Sequence, residues 1–136
     1  ERVDRIKGKY RILDYKTGNV QSFSFKTIEE LFARDAKEPK KEVLQAIIYS
    51  WALAKTKGTT QIQPVIYSLR ELFAEKLKSE IKWDTHDFSY SELEDELIAN
   101  LKDLIAEIYS KNNTFKQTEH LKKCEYCPYR KICQRY

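Results

Sequence analysis

The sequence predicts a single α/β domain: a mixed central β-sheet flanked by helices, followed by a cysteine-rich C-terminal tail. Three observations predict this fold class. A hairpin pattern opens the chain, an amphipathic helix spans residues 40–57, and an apolar strand follows at 61–69. A strand, a helix and a strand that return to one sheet imply a mixed α/β core. We expect residues 1–115 to form that core and 116–136 to be a tail of the same domain, since 136 residues suffice for one hydrophobic core.

The opening hairpin sets the relative positions of two acidic residues. Residues 2–6 and 10–16 are rich in Val, Ile, Leu and Tyr, and residues 7–9 carry the chemistry of a tight turn around Gly8. A three-residue turn pairs Arg2 with Asp14 and puts Asp4 on the face of Asp14, with about 7 Å or less between the Cβ atoms. A two-residue turn would put Asp4 on the opposite face. We expect the three-residue turn, which allows both carboxylates to hold one hard cation.

Asp4, Asp14 and Lys16 together would suit the hydrolysis of a phosphodiester. Mg²⁺ is usually held by one or two carboxylates plus a substrate phosphate, and Asp4 and Asp14 would supply the carboxylates. Lys16 lies two residues after Asp14, so the two side chains share a strand face. Lys16 would orient or deprotonate the attacking water, or offset charge in the transition state. The alternative is a solvated hairpin with ordinary surface charges, which the residue types alone favour.

The remaining elements follow from the hydrophobic period and from capping residues. We expect a short strand at 20–25, helices at 28–34 and 40–57, strands at 61–69 and 76–83, and a loop at 84–87 with His86 at the surface. A capping box of Thr27 and Glu30 begins the first helix, and Gly58 ends the second. The third helix begins at Ser89 or at Ser91, and Ser91 would form a capping box with Glu94. Asn112 and Asn113 end this helix. The predicted buried stripes are Leu44, Ile47, Ile48 and Trp51, then Leu93, Leu97, Leu101, Leu104, Ile105 and Ile108.

Gln45 and Tyr49 lie four residues apart on the second helix. At that spacing they share one helix face beside the buried stripe, so both can point into a groove. The alternative is that Gln45 is a boundary polar residue and Tyr49 a core aromatic with its hydroxyl at the surface. Spacing alone favours that alternative, because pairs of this kind are abundant.

The C-terminal tail carries all three cysteines of the chain: Cys124, Cys127, which Pro128 follows, and Cys133. A Cys-x-x-Cys pair places two thiolates on one tight turn, which suits an iron–sulfur cluster or another soft metal site. An odd number of cysteines in a cytoplasmic protein argues against a disulfide framework. His120 would complete a zinc site with the three cysteines, and three free thiols are the remaining alternative.

The excess positive charge of the chain is confined to the tail. Residues 1–115 contain nineteen basic and nineteen acidic residues, whereas 116–136 contain six basic and two acidic ones. A basic tail suits contact with nucleic-acid phosphates, although so small a charge also fits plain solvation. The apolar runs are short and no signal-peptide pattern opens the chain, so we expect no membrane association.

Three motifs resemble a known family in that family's order. Asp4, followed by the run Asp14-Tyr15-Lys16-Thr17-Gly18, resembles the two central motifs of the PD-(D/E)XK nuclease superfamily in its RecB-like branch. Gln45 and Tyr49 match that branch's Gln-x-x-x-Tyr motif. The cysteines resemble the C-terminal triplet of its iron–sulfur members, such as the AddB-type nuclease domain. The resemblance covers nearly the whole chain.

The resemblance implies a restriction-endonuclease-like core and Mg²⁺- or Mn²⁺-dependent, exonuclease-type hydrolysis of DNA in repair or recombination. It implies metal binding by Asp4, Asp14 and the Tyr15 carbonyl, catalysis by Lys16, and DNA contact by Gln45 and Tyr49. It also implies a helicase domain or subunit as partner.

In that family Cys124, Cys127 and Cys133 would share a 4Fe–4S cluster with a fourth cysteine from far upstream. Because the chain has no Met and begins at the edge of a strand, we expect it to be the C-terminal part of a longer protein. The part alone would then lack a complete cluster, and it need not be active. Two other classes stay open: a nuclease-derived module that binds DNA or a partner without cutting, and a zinc-stabilised interaction domain.

Overall fold

The computed structural model describes residues 1–34, 36–73, 79–84, 86–114 and 116–135. Its strands are β1 (Arg2–Ile6), β2 (Lys9–Lys16), β3 (Ser24–Phe25), β4 (Ile62–Ser68), β5 (Lys82–Trp83) and β6 (His86–Asp87). Its α-helices are α1 (Ile28–Phe32), α2 (Lys41–Lys57) and α3 (Tyr90–Tyr109), and a 3₁₀ helix covers Leu121–Cys124. One sheet has the order β1-β2-β4 and the other β3-β5-β6.

The hairpin of β1 and β2 is confirmed, but its predicted register was wrong. Asp4 pairs with Arg11, and Ile6 with Lys9, so the turn has two residues instead of three. Lys7 and Gly8 both have positive φ, 49° and 87°, as a type I′ turn requires. This turn matches the right-handed twist of the two strands, which explains why the shorter loop is preferred.

Lys7 therefore occupies a position that suits Asn better. Lys7→Asn should raise the free energy of unfolding by about 0.5–1 kcal/mol, because Asn adopts positive φ at lower cost than Lys. Chemical denaturation measures this difference. Lys9→Asn is the matched control: Lys9 is already in β2, where Asn is disfavoured. Equal stabilities of the two variants would contradict the two-residue turn.

The core forms where α2 packs across the β1-β2-β4 sheet. Strands β2 and β4 are parallel, with Asp14 beside Ile66 and Lys16 beside Ser68. The helix buries its Val43 and Ile47 completely in the hydrophobic core to which Ile66 belongs. It ends as predicted at Gly58, which has a φ of 62° and donates its N–H to the Ala54 carbonyl at 2.8 Å. The predicted mixed α/β fold with helices against the sheet is confirmed.

The second sheet differs from the sequence-based expectation. Of the predicted strand at 20–25, only Ser24–Phe25 is a strand, and it pairs with Lys82–Trp83. The predicted loop at 84–87 contains β6, which pairs antiparallel with β5. Of the predicted strand at 76–83, residues 76–78 lie outside the described residues. Phe25 stacks on Trp83 with 5.7 Å between ring centroids, a non-local contact that no local pattern could have predicted.

The first and third helices follow the predictions at their centres and depart from them at their ends. Thr27 caps α1 by accepting from the Glu30 N–H at 3.4 Å, and α1 ends at Phe32 instead of residue 34. Helix α3 begins at Tyr90 without a side-chain cap, so the predicted capping box at Ser91 was wrong. It ends at Tyr109, before Asn112. Among the described residues, no helix combines the length and apolar character needed to cross a lipid bilayer.

The predicted apolar stripe of α3 is buried only in its first half. Leu93 and Leu97 are fully buried, whereas Ile105 and Ile108 are exposed. Helix α3 contacts α1 and α2. The helical period alone could not reveal where those contacts end.

Candidate active site

A continuous polar chain joins the end of β2 to the first half of α2. Lys16 Nζ lies 2.8 Å from Asp14 Oδ2 and donates to Gln45 Oε1 at 2.6 Å. Gln45 Nε2 then donates to the Tyr49 hydroxyl at 2.8 Å. Because side chains alternate along β2, Asp14 and Lys16 lie on one face of the strand. Because Gln45 and Tyr49 are four residues apart, they lie on one face of α2, and this helix face packs against that strand face. Four of the side chains predicted from the sequence are therefore brought together.

Asp14 is the buried charge of this site. It is only 3% exposed, whereas a carboxylate is almost never buried without a partner. Lys16 contacts its Oδ2, but off the direction of a hydrogen bond, so this oxygen accepts no hydrogen bond from the described residues. An oxygen with a free lone-pair direction beside a surface groove suits a hard divalent cation. Among the described residues, no group of three or more Asp, Glu, His or Cys side chains is placed to hold a metal. A single carboxylate is a donor that Mg²⁺ accepts when a substrate phosphate and waters complete its shell.

The Tyr49 hydroxyl lies between an amide and a carboxylate. The neighbouring Glu1 carboxylate raises the pKa of Tyr49, partial burial and the Asp14 charge act the same way, and Gln45 opposes them. Tyr49 therefore stays a neutral phenol near pH 7 and can donate a hydrogen bond. Sequence reasoning missed Glu1. The correct hairpin register, extended by one residue, puts Glu1 opposite Asp14.

A groove of about 660 Å³ runs beside this polar chain along α2. Its walls include Lys16, Gln45 and Tyr49 from the polar chain, and its remaining lining is Lys41, Glu42, Leu44 and Ile48. Lysines stand at the groove while apolar side chains form part of its surface. Lysine ammonium groups can pair with phosphates, and Tyr49 is the aromatic side chain of the groove on which a base could stack.

Asp4 does not belong to this cluster. Its carboxylate accepts from Arg11 Nε at 2.8 Å, from Arg11 Nη2 at 2.7 Å and from Arg2 Nη2 at 2.7 Å. Since Asp4 pairs with Arg11, its side chain lies on the sheet face opposite to Asp14. The prediction that Asp4 and Asp14 share a face was wrong, and the geometric basis for their joint metal site is lost with it.

The two arginines make the Asp4 contribution to stability dependent on pH. Hydrogen bonds from Arg11 and then Arg2 hold the pKa of Asp4 well below its usual range. A depressed pKa means that the charged form stabilises the folded state above about pH 3.9, and that this contribution is lost as the pH falls further. Wild type should therefore lose more stability than Asp4→Asn between about pH 6 and pH 2 in thermal melts. Parallel curves for the two proteins would contradict the ion pair.

Tyr15 presents its ring to the same face as Asp4. The ring stacks on Tyr67 of β4 with 5.8 Å between centroids and 23° between planes. The ring therefore points away from Asp14. The predicted metal contact of Tyr15 through its backbone carbonyl stays a prediction.

The cysteine tail contains the turn that the sequence predicted. Cys127 N–H donates to the Cys124 carbonyl at 3.1 Å, and Cys133 N–H donates to the Tyr129 carbonyl at 3.3 Å. All three thiols are partly exposed and in no disulfide. Lys123 Nζ donates to the Arg34 carbonyl at 2.5 Å, which ties the tail to the end of α1. The described residues do not gather the cysteines and His120 into a metal centre.

In comparison with known proteins, a family match covers nearly the whole chain. The family profile of the PD-(D/E)XK nuclease superfamily matches residues 2–134. The match spans the hairpin, α2 and the cysteine tail. No curated protein and no solved structure matches the chain significantly.

Proposed function

Because the chain belongs to the PD-(D/E)XK nuclease superfamily, whose members are mostly nucleases, we propose that it is a divalent-metal-dependent DNA nuclease of the RecB-like branch. The observation that supports this proposal most strongly is the polar chain from Asp14 through Lys16 and Gln45 to Tyr49. Exonuclease-type action in DNA repair or recombination, with a helicase domain or subunit as partner, is the role that the RecB-like motifs suggest.

Asp14 would hold the cation, with the Tyr15 carbonyl as a further proposed ligand. When bound, Mg²⁺ or Mn²⁺ supplies Lewis-acid polarisation of the scissile phosphate and lowers the pKa of a coordinated water. Asp14 suits this work because its side chain is buried beside Lys16 and its Oδ2 accepts no hydrogen bond from the described residues.

Lys16 would stabilise the charge that develops on the phosphate. An ammonium group has three N–H donors; one of them bonds to Gln45, and the charge also pairs with Asp14. A further N–H can reach a phosphate oxygen in the groove. During hydrolysis a water oxygen bonds to phosphorus while one ester P–O bond breaks, and a fixed cation at that point lowers the barrier.

Gln45 and Tyr49 would position Lys16 and the DNA strand. Tyr49→Phe should lower the cleavage rate about fivefold to tenfold, because it removes the hydroxyl that contacts both Gln45 and Glu1, a loss of about 1 kcal/mol. Gln45→Leu should lower the cleavage rate further, because it also removes the hydrogen bond that holds the Lys16 ammonium group. Single-turnover cleavage assays measure both effects. Tyr109→Phe, on an exposed tyrosine at the end of α3, is the matched control and should cleave at the wild-type rate.

We further propose that Cys124, Cys127 and Cys133 bind an iron–sulfur cluster in the working protein. The turn between Cys124 and Cys127 supports this, since it brings two thiols of one Cys-x-x-Cys motif together. Metal analysis of protein purified without oxygen distinguishes the outcomes. Iron with sulfide supports the cluster, whereas stoichiometric zinc would replace it with a zinc site that includes His120.

Cleavage of linear and closed circular DNA, with and without Mg²⁺ or Mn²⁺, tests the proposed function. We expect metal-dependent loss of linear DNA and no loss of closed circular DNA, because an exonuclease starts at a DNA end and the circle has none. Cleavage of both would retain the nuclease but exclude the exonuclease type. Folded protein that binds DNA and cleaves neither substrate would replace the nuclease with a non-cutting DNA-binding module.

A further inference from the structure

Ser68 is a buried polar residue of the site that no sequence motif singles out. It is the last residue of β4 and is 0% exposed. Its Oγ has no hydrogen-bond partner among the described residues. Buried hydroxyl groups nearly always have a partner, so an unpaired one indicates an ordered water or an ion beside it.

The register places this hydroxyl beside the proposed catalytic side chains. Ser68 pairs with Lys16 in the parallel β2–β4 ladder, and Ile66 pairs with Asp14. Paired residues on neighbouring strands project to the same face, so Ser68 lies on the face of Asp14 and Lys16. The Leu69 N–H donates to the Lys16 carbonyl at 2.9 Å, which fixes the two strand ends together.

Two buried oxygen atoms on this face therefore lack a hydrogen bond from the described residues: Ser68 Oγ and Asp14 Oδ2. They lie at the carboxyl ends of two parallel strands, the edge at which α/β sheets bind ligands. One hydrated cation between them would satisfy both atoms, because the cation binds the carboxylate and one of its waters donates to the hydroxyl oxygen. Ser68 Oγ has no hydrogen-bond partner among the described residues, and Asp14 Oδ2 has only the Lys16 ammonium group at 2.8 Å.

We propose that Ser68 is a positioning residue, whose hydroxyl oxygen accepts a hydrogen bond from a water in the hydration shell of the divalent cation that Asp14 binds. This rests on the proposed function, since it requires that cation. The Ser68 hydroxyl would orient the water shell of the cation and would not contact the scissile phosphate. Outer hydrogen bonds of this kind typically change metal affinity about tenfold to a hundredfold.

Calorimetric titration with Mn²⁺ and Mg²⁺ tests the proposal, with thermal unfolding of the metal-free proteins as a second readout. Ser68→Ala and Ser68→Cys should bind either cation about tenfold more weakly than wild type. Without cation, Ser68→Ala should unfold at the wild-type temperature or above it, because it removes an unpaired buried hydroxyl. Weaker cation binding without loss of stability is a combination that a structural serine would not produce.

Ser50 provides the matched control. It is also 0% exposed, but its hydroxyl donates to the Ala46 carbonyl within α2 at 2.9 Å. Ser50→Ala should leave cation affinity unchanged and should not raise the unfolding temperature.

The outcomes separate this proposal from the proposed function. Unchanged cation binding in Ser68→Ala, with binding lost in Asp14→Asn, would overturn the role of Ser68 and leave the nuclease assignment intact. A lower unfolding temperature of metal-free Ser68→Ala would also overturn it, because the hydroxyl would then be structural. Wild-type protein that binds neither cation would overturn the proposed function and the role of Ser68 with it.

Discussion

Asp14→Asn should lower the rate of metal-dependent DNA cleavage by roughly a thousandfold or more, because the cation that it holds supplies several kcal/mol of transition-state stabilisation. The amide keeps the size of the carboxylate and removes its charge, so the fold should persist. Cleavage rates at saturating DNA and circular-dichroism melts measure the two effects.

Asp4→Asn is the matched control for this prediction, since it makes the same chemical change on the opposite face of the same hairpin. It should retain cleavage within a few-fold of wild type. Loss of cleavage in folded Asp4→Asn would mean that Asp4 binds metal as the resemblance implies, and that the hairpin register of the active protein differs from the one described. Cleavage by Asp14→Asn at the wild-type rate would remove Asp14 from the site.

Lys16→Ala should lower the cleavage rate by about a hundredfold to a thousandfold while cation binding persists or strengthens. The variant loses the positive charge at the phosphate, but it also removes a positive charge that repels the cation from Asp14. Titration calorimetry and single-turnover cleavage together separate these effects. Lys82→Ala, which loses only a loose surface contact of 3.8 Å with Asp87, should behave as wild type.

The stability of Lys16→Ala should depend on Mg²⁺ more than the stability of wild type does. Without Lys16, the carboxylate of Asp14 is left almost fully buried and without its ion-pair partner. Bound cation would replace the missing charge and raise the unfolding temperature more in Lys16→Ala than in wild type. An equal Mg²⁺-induced shift in both proteins would contradict the role of Asp14 as the cation ligand.

The parts of the site that were predicted from the sequence rest on local geometry. Asp14 and Lys16 share a face because strand side chains alternate, whatever the turn before them does. Gln45 and Tyr49 share a face because the helical period brings residues four apart together. Their contacts at 2.6–2.8 Å confirm this placement, whereas their roles in catalysis stay predictions.

The parts that were missed depend on one turn and on non-local packing. A change of one residue in the turn at Lys7 and Gly8 moves Asp4 to the other face, and the sequence fits both turns. The position of Ser68 beside Lys16 follows from the β2–β4 register. That register is non-local, because the whole of α2 lies between the two strands in the sequence. The alternation at 20–25 marked β3 but not its short extent, and no local pattern marked β6, because both strands exist through their pairing with β5.

The most direct test of the central claim is to locate the cation in crystals of the protein soaked in Mn²⁺. Anomalous scattering identifies manganese without reference to activity. The account predicts one peak at the carboxylate of Asp14, at roughly 2.1 Å, between the ends of β2 and β4 and the groove along α2. A peak on Asp4 instead, or crystals saturated with Mn²⁺ that show none at Asp14, would contradict it.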